Sequence, residues 1–185
     1  MNGAERAGGA PAGPFPTPLV PTSLVTERLR LRMPEESDWR PLHAYYGDAE
    51  SVRHTVGTPY TEGQTWRSVA GSAGHWIWRR YGPYTVVERA SGSVAGLVGL
   101  WYPGDWPEPE IMWALVPSAR GKGYATEAAR AVRAMAREHL PGMRPISLIS
   151  VGNGASERVA LAVGARLERE LEFRGKPARI YRHAE

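Results

Sequence analysis

Apolar and polar residues alternate strictly in Arg28-Leu29-Arg30-Leu31-Arg32-Met33, which predicts a half-buried strand. Its arginine face could attract an anion, although a solvated face on an edge strand explains it more simply. A first helix follows to about Tyr46, with Ser37 placed to cap it. A second helical region covers roughly Glu62 to Arg80, weakened by Gly71 and Gly74. Strands over Tyr84 to Glu88 and Val94 to Tyr102 flank the hairpin residues Ala90-Ser91-Gly92-Ser93. A fourth strand runs from about Glu110 to Val116 and ends at Pro117-Ser118-Ala119. The longest helix spans about Gly123 to His139, with Ala125, Ala128, Ala129, Val132, Met135 and Ala136 on one face and Pro141-Gly142 as its stop. A fifth strand, Pro145 to Val151, precedes a short helix over Ala155 to Val163 that Gly164 closes. Two terminal strands, Arg166 to Phe173 and Ala178 to His183, meet at Arg174-Gly175-Lys176-Pro177. This order predicts a mixed α/β sheet with helices packed on its faces. Residues 1–22 are rich in Gly, Ala and Pro and lack periodic apolar positions, so they read as a disordered tail before one domain over 23–185.

Composition narrows the chemistry. A length of 185 residues suits a single core. No cysteine is present, which removes disulfides and thiolate metal sites and is compatible with the cytoplasm. No apolar run approaches the ~20 residues that span a bilayer, and the N-terminus carries no secretory pattern, so no membrane association is expected. The net charge of +4 suits an anionic ligand, yet the arginines are scattered and form no nucleic-acid motif. His43, His54, His75, His139 and His183 show no metal-ligand spacing, and no metal is expected.

The strongest local signal is Arg120-Gly121-Lys122-Gly123-Tyr124-Ala125, between a strand and a helix. Unpaired amides and about half a positive charge gather at a helix N-terminus, so anions settle there. Glycines without Cβ allow a phosphate to approach the backbone, and Arg120 and Lys122 add charge. The alternative, a turn whose glycines only satisfy backbone angles, fits the strand–loop–helix context less well. The spacing matches neither a triphosphate loop nor a dinucleotide fingerprint.

With Thr126-Glu127-Ala128 added, this segment resembles the acetyl-CoA loop of the GNAT N-acetyltransferases, closest to their RimJ/RimL-like branch. Three further segments are similar in the same order. They are Thr26-Glu27-Arg28-Leu29-Arg30-Leu31-Arg32, then Glu110 to Pro117, then Asn153-Gly154-Ala155-Ser156-Glu157-Arg158-Val159-Ala160 with Gly164-Ala165. The resemblance implies a mostly antiparallel twisted sheet whose fourth and fifth strands splay apart. It implies acetyl-CoA as co-substrate, with the pyrophosphate over Arg120, Gly121, Lys122, Gly123, Tyr124 and Ala125. The pantetheine arm would pair near Leu115 and Val116, and Asn153 and Ser156 would border the thioester. The partner is an amine, either a protein N-terminus or a small molecule, and a homodimer is compatible with the family.

The family's usual route is direct attack by the amine, and the absence of cysteine agrees with it. The resemblance points to Glu110 as base, with Glu108 as alternative in Trp106-Pro107-Glu108-Pro109-Glu110. An apolar wall of Met112 and tryptophans would raise the proton affinity of Glu110, whereas an exposed carboxylate at a strand start would be inert. Of Trp76, Trp78, Trp101, Trp106 and Trp113, most are expected in the core and some beside the acceptor. Two positions depart from the family. Ala160 stands where many members carry a tyrosine acid, and Met112 where a glycine is usual. Ser156 then becomes the candidate acid, unless it only caps its helix. Glu127, one turn into the long helix, is expected to offset the helix dipole. A catalytically weak acyl-CoA sensor is the alternative to an enzyme.

Overall fold

A computed structural model describes residues 15–184. Fourteen residues of the expected tail therefore lie outside the described residues. The remainder of that tail joins the domain. Val20 is buried, Leu19 N donates to Arg80 O at 2.7 Å, and Tyr84 Oη donates to Pro21 O at 2.6 Å. The ordered domain thus starts before Ser23, because one apolar side chain and two main-chain groups find partners there.

Eight strands form one sheet: β1 (Ser23–Val25), β2 (Leu29–Arg32), β3 (Pro83–Glu88), β4 (Val94–Trp101), β5 (Glu110–Leu115), β6 (Ile146–Ser150), β7 (Ala165–Phe173) and β8 (Lys176–His183). Their spatial order is β1-β2-β3-β4-β5-β6-β8-β7. Every neighbouring pair is antiparallel except β5 and β6. The helices are α1 (Trp39–Tyr46), α2 (Ala49–Val52), α3 (Glu62–Arg79), α4 (Tyr124–His139) and α5 (Gly154–Ala162). Consecutive positions Ala95 to Leu100 of β4 are all buried, so helices cover both faces of the sheet centre. The α1–α3 pair lies against β3 and β4; α4 lies against β2, β4 and β5; α5 bridges α4, β6 and β7.

Some local expectations change. β1 covers β2, so the Arg28–Met33 segment is not an edge strand. Arg32 pairs with buried Asp38 at 2.7 Å rather than facing solvent. Ser37 caps nothing. It sits in a short tight turn whose ends are held by a reciprocal Glu35–Asp38 box. Arg174 and Gly175 take positive φ values of 51° and 73°, and Phe173 pairs with Lys176. The last hairpin therefore has a two-residue turn of the kind that matches strand twist.

The apolar interior divides in two. The larger cluster lies under α1, α3 and α4. A smaller one, Ile149, Ala160, Ala165 and Tyr181, sits beyond β5, with Trp113 packed against it. The boundary between them is where β5 and β6 part.

Candidate active site

β5 and β6 share one paired position, Glu110 with Ile146, where Ile146 N donates to Pro109 O at 2.9 Å. Beyond that point the strands diverge. Val116 N donates to Ala95 O at 3.0 Å, so alternation turns the main chain of residues 112, 114 and 116 toward β4. The main chain of Ile111, Trp113 and Leu115 faces the gap. Ser147 Oγ reaches across it to Ile111 O at 2.8 Å. Trp113 and Leu115 have no strand partner on that side. Of the two residues expected to meet a pantetheine arm, Leu115 presents its main chain to the gap. Val116 turns its N–H away.

Glu110 lies at the vertex of this fork. It is 6% exposed, and Oε2 accepts Leu148 N at 3.1 Å, replacing a ladder bond that the divergence removes. Burial pushes its carboxyl up to about 7. The exposed, inert carboxylate considered from sequence is not what forms. Glu108 differs in every respect. Arg182 at 2.7 Å and Arg169 at 3.1 Å hold it as an ion, and their hydrogen bonds keep it below the usual carboxylate range.

Trp101 stands opposite Glu110 on β4 and begins an aromatic row. His75 stacks on it at 4.9 Å, Trp106 meets it edge-on at 6.4 Å, and Phe173 meets Trp106 at 4.9 Å. Arg174 caps Trp106 at 4.9 Å and pairs with Asp105. Trp76 is core, whereas Trp78 is 88% exposed. His75 accepts Tyr102 N at Nε2 and meets Tyr81 O through Nδ1, so it is a structural, neutral ring.

Across the gap, Asn153 caps α5, its Oδ1 accepting Ser156 N at 3.2 Å. Ser156 is therefore not the cap. Its Oγ accepts Trp113 Nε1 at 3.2 Å, which leaves the serine hydrogen free to be donated elsewhere. Ala160 is fully buried against Ile149, Ala165 and Tyr181, and a tyrosine ring there would displace that packing.

At the open end of the fork, Gly123 takes φ 81° and stands as the N-cap of α4 with no side-chain cap. Glu127 N donates to Gly123 O at 3.1 Å, the first bond of the helix. The amides of Tyr124, Ala125 and Thr126 precede that bond and have no intrahelical acceptor. The flanking cations are tied locally. Arg120 bonds Leu115 O at 3.3 Å and also Ser51 Oγ. Lys122 Nζ lies 3.8 Å from Glu88, which also receives the Tyr124 hydroxyl. A Cβ at Gly121 would meet open space, while one at Gly123 would lie 3.4 Å from Arg28 Nη2. Two residues given no site role from sequence, Arg28 and Glu127, are thus found against this loop. Both lie inside segments whose resemblance was noted. Among the described residues, no cluster of acidic or imidazole groups could hold a metal, and no helix is long and apolar enough to cross a membrane.

A parallel strand pair that parts after one rung, with an uncapped helix head at its open end, is the architecture of an acyltransferase fold. The profile described as an acetyltransferase (GNAT) domain matches residues 28–166, and the chain belongs to that family of acetyl-CoA-dependent acyltransferases. A curated relative, the uncharacterized N-acetyltransferase YnaD of Bacillus subtilis (strain 168), is 27% identical over 146 residues, covering 78% of this chain and 83% of that protein. The acetyltransferase of Agrobacterium tumefaciens str. C58 superposes with a TM-score of 0.79 at 28% identity, over 96% of this chain and 100% of that one. RimL, a ribosomal L7/L12 α-N-protein acetyltransferase solved with coenzyme A, shares the fold at a TM-score of 0.72 and 20% identity, over 86% of this chain and 96% of its own.

Proposed function

We propose that this protein transfers the acetyl group of acetyl-CoA to a primary amine by direct attack in a ternary complex, with Glu110 as base. The buried carboxylate at the fork vertex carries the reading. A group poised near 7 is half ionised at neutral pH and can take a proton from a weakly acidic ammonium. That value suits an α-amine, with a pKa of about 7.7–8.0, better than a lysine amine near 10.4. A lysine proton would move uphill by about 1.36 kcal/mol for each unit of mismatch. Protein N-termini and small molecules with low amine pKa values are therefore the favoured acceptors.

The site residues fit the co-substrate. Gly121, Gly123 and the amides of Tyr124 and Ala125 offer an uncapped anion cradle, which suits a pyrophosphate. Arg120 and Lys122 border it. The main chain of Trp113 and Leu115, without a strand partner on the gap side, suits the amides of a pantetheine arm. Asn153 and Ser156 stand across the gap, and Ser156 has a hydrogen to give a leaving thiolate. Bound acetyl-CoA supplies the activated acyl group. The protein holds it, dries the vertex and takes the amine proton at Glu110.

Coenzyme A release measured over a panel of amines tests this. Turnover with at least one amine, lost in Glu110→Gln, is expected. Tight acetyl-CoA binding with no accepted amine would instead support the sensor, to which buried Ala160 in place of an acid tyrosine lends its one argument.

A further inference from the structure

We propose that Arg28 and Glu127 are positioning residues for the phosphate loop: together they clasp it to the β1–β2 turn and aim the Gly123 N–H at the ligand. The inference rests on the reading of that loop as the acetyl-CoA cradle.

The clasp engages both oxygens of one carboxylate. Glu127 Oε1 accepts Thr26 Oγ1 at 2.6 Å and Arg28 N at 2.9 Å. Glu127 Oε2 accepts Arg28 Nε at 2.7 Å, and Arg28 Nη2 makes an ion-pair contact with it, also at 2.7 Å. Charge-assisted, side-on pairing of this kind fixes geometry as well as adding energy. The remaining arm of the guanidinium, Nη1, donates to Lys122 O at 2.8 Å. Arg28 also lies over the Tyr124 ring at 4.9 Å. The turn it comes from is firm, since Thr26 N bonds Leu29 O at 2.9 Å and Leu29 and Leu31 are fully buried.

The Lys122 bond matters most. In a trans peptide the carbonyl of one residue and the N–H of the next point in opposite directions. Drawing Lys122 O toward Arg28 therefore turns the Gly123 N–H outward, away from β2 and toward the uncapped head of α4. The loop needs such help. Gly121 and Gly123 both have positive φ, at 73° and 81°, and glycines left to themselves sample many other conformations. Holding the bound shape before the ligand arrives lowers the ordering cost of binding. The pairing also settles a charge problem. An unpaired carboxylate in the first turn of α4 would repel a diphosphate, and Arg28 neutralises it. Thr26, Arg28 and Glu127 thus unite two motifs about a hundred residues apart in sequence into one device.

Calorimetric titration with acetyl-CoA tests the proposal on the wild type, Arg28→Ala, Arg28→Lys and Glu127→Gln, with ligand-free melting curves alongside. Arg28→Ala should weaken binding about 30-fold or more, because it frees the loop and bares the carboxylate. Arg28→Lys keeps the charge but loses the fork and the carbonyl contact, and should weaken binding about fivefold or more. Glu127→Gln should cost less than Arg28→Ala, since it leaves no bare anion. In turnover the loss should appear in KM for acetyl-CoA, with kcat at saturation within about twofold. Wild-type affinity in Arg28→Ala overturns the clasp. Should that variant melt too low to measure, wild-type affinity in Arg28→Lys overturns it equally. Failure of the wild type itself to bind acetyl-CoA is a different result, and removes the reading of the loop.

Discussion

At the head of α4, the groups offered to a ligand are main-chain amides of one continuous segment. At the β5–β6 fork they are side chains and main-chain edges from β5, β6 and α5. In the proposed function the first region binds through what the backbone cannot satisfy by itself. The second works through what tertiary packing does to individual side chains: it dries Glu110, and it sets Trp113 against Ser156. Binding and chemistry should therefore fail separately.

The largest effect is expected at the fork. Glu110→Gln keeps an acceptor for Leu148 N but cannot take a proton. Its kcat/KM should fall by about 10²–10⁴, measured by coenzyme A release, while acetyl-CoA affinity by calorimetry stays unchanged. A loss of affinity of the same size would merge the two regions and break the comparison.

The reciprocal change is Gly123→Val. The sequence suggests that its side chain would fill the path of a phosphate. The structure gives a different cause of damage. A β-branched residue is strained at φ 81°, and its Cβ would stand in contact with Arg28 Nη2 at 3.4 Å, bringing its methyls against the clasp. Acetyl-CoA affinity should fall by about 10² or more, since both the helix head and the clasp are disturbed. A wild-type dissociation constant in a folded Gly123→Val protein would show that the cradle lies elsewhere.

The pH dependence sharpens the same contrast. Burial raises Glu110 to about 7, and only its ionised form accepts a proton. Activity should thus fall about tenfold per unit as pH drops below that value and level above it. Acetyl-CoA binding should lack this limb, because no comparable group lines the helix head. Glu110→Gln should lose the limb and follow only the acceptor amine. An acid limb that persists near 7 in Glu110→Gln would assign it to another group.

The contrast also explains what the sequence made legible. The glycine loop at the head of α4 could be read because its parts are adjacent: strand end, two glycines, helix start. The order of elements along the chain followed from alternation and turn residues, and the strand at Glu110 and helix at Tyr124 begin within a residue of expectation. What was missed depends on distant partners. β1 is three residues long and exists because β2 pairs with it. Ser37 was a reasonable cap by type, but buried Asp38 stands at the helix start with no side-chain cap bond, its carboxylate bonded to Arg32 and Thr85 instead. Glu110 and Glu108 look alike in sequence. Only the fold places one in the vertex and the other between Arg182 and Arg169. The cap of α5 likewise falls to Asn153 rather than Ser156, because a cap is decided by which side chain reaches the first free amide.

Ser156 gives the smallest effect and the finest test of the fork. Its hydroxyl accepts from the Trp113 indole, so its hydrogen points away from Trp113. If that hydrogen meets the leaving sulfur, Ser156→Ala should lower kcat about tenfold, the order of one hydrogen bond to a developing charge of about 1.5 kcal/mol. Trp113→Phe should act in the same direction by less, because the serine stays but loses its orientation. Since Asn153 Oδ1 bonds the Ser156 amide rather than its hydroxyl, helix α5 keeps its cap in Ser156→Ala and melting should be nearly unchanged. The acyl donor offers an independent check, for a thioester with a more acidic thiol needs less help in leaving. With such a donor the Ser156→Ala deficit should shrink toward unity. A deficit that stays tenfold whatever the thiol would make Ser156 a packing residue and leave the leaving group to solvent.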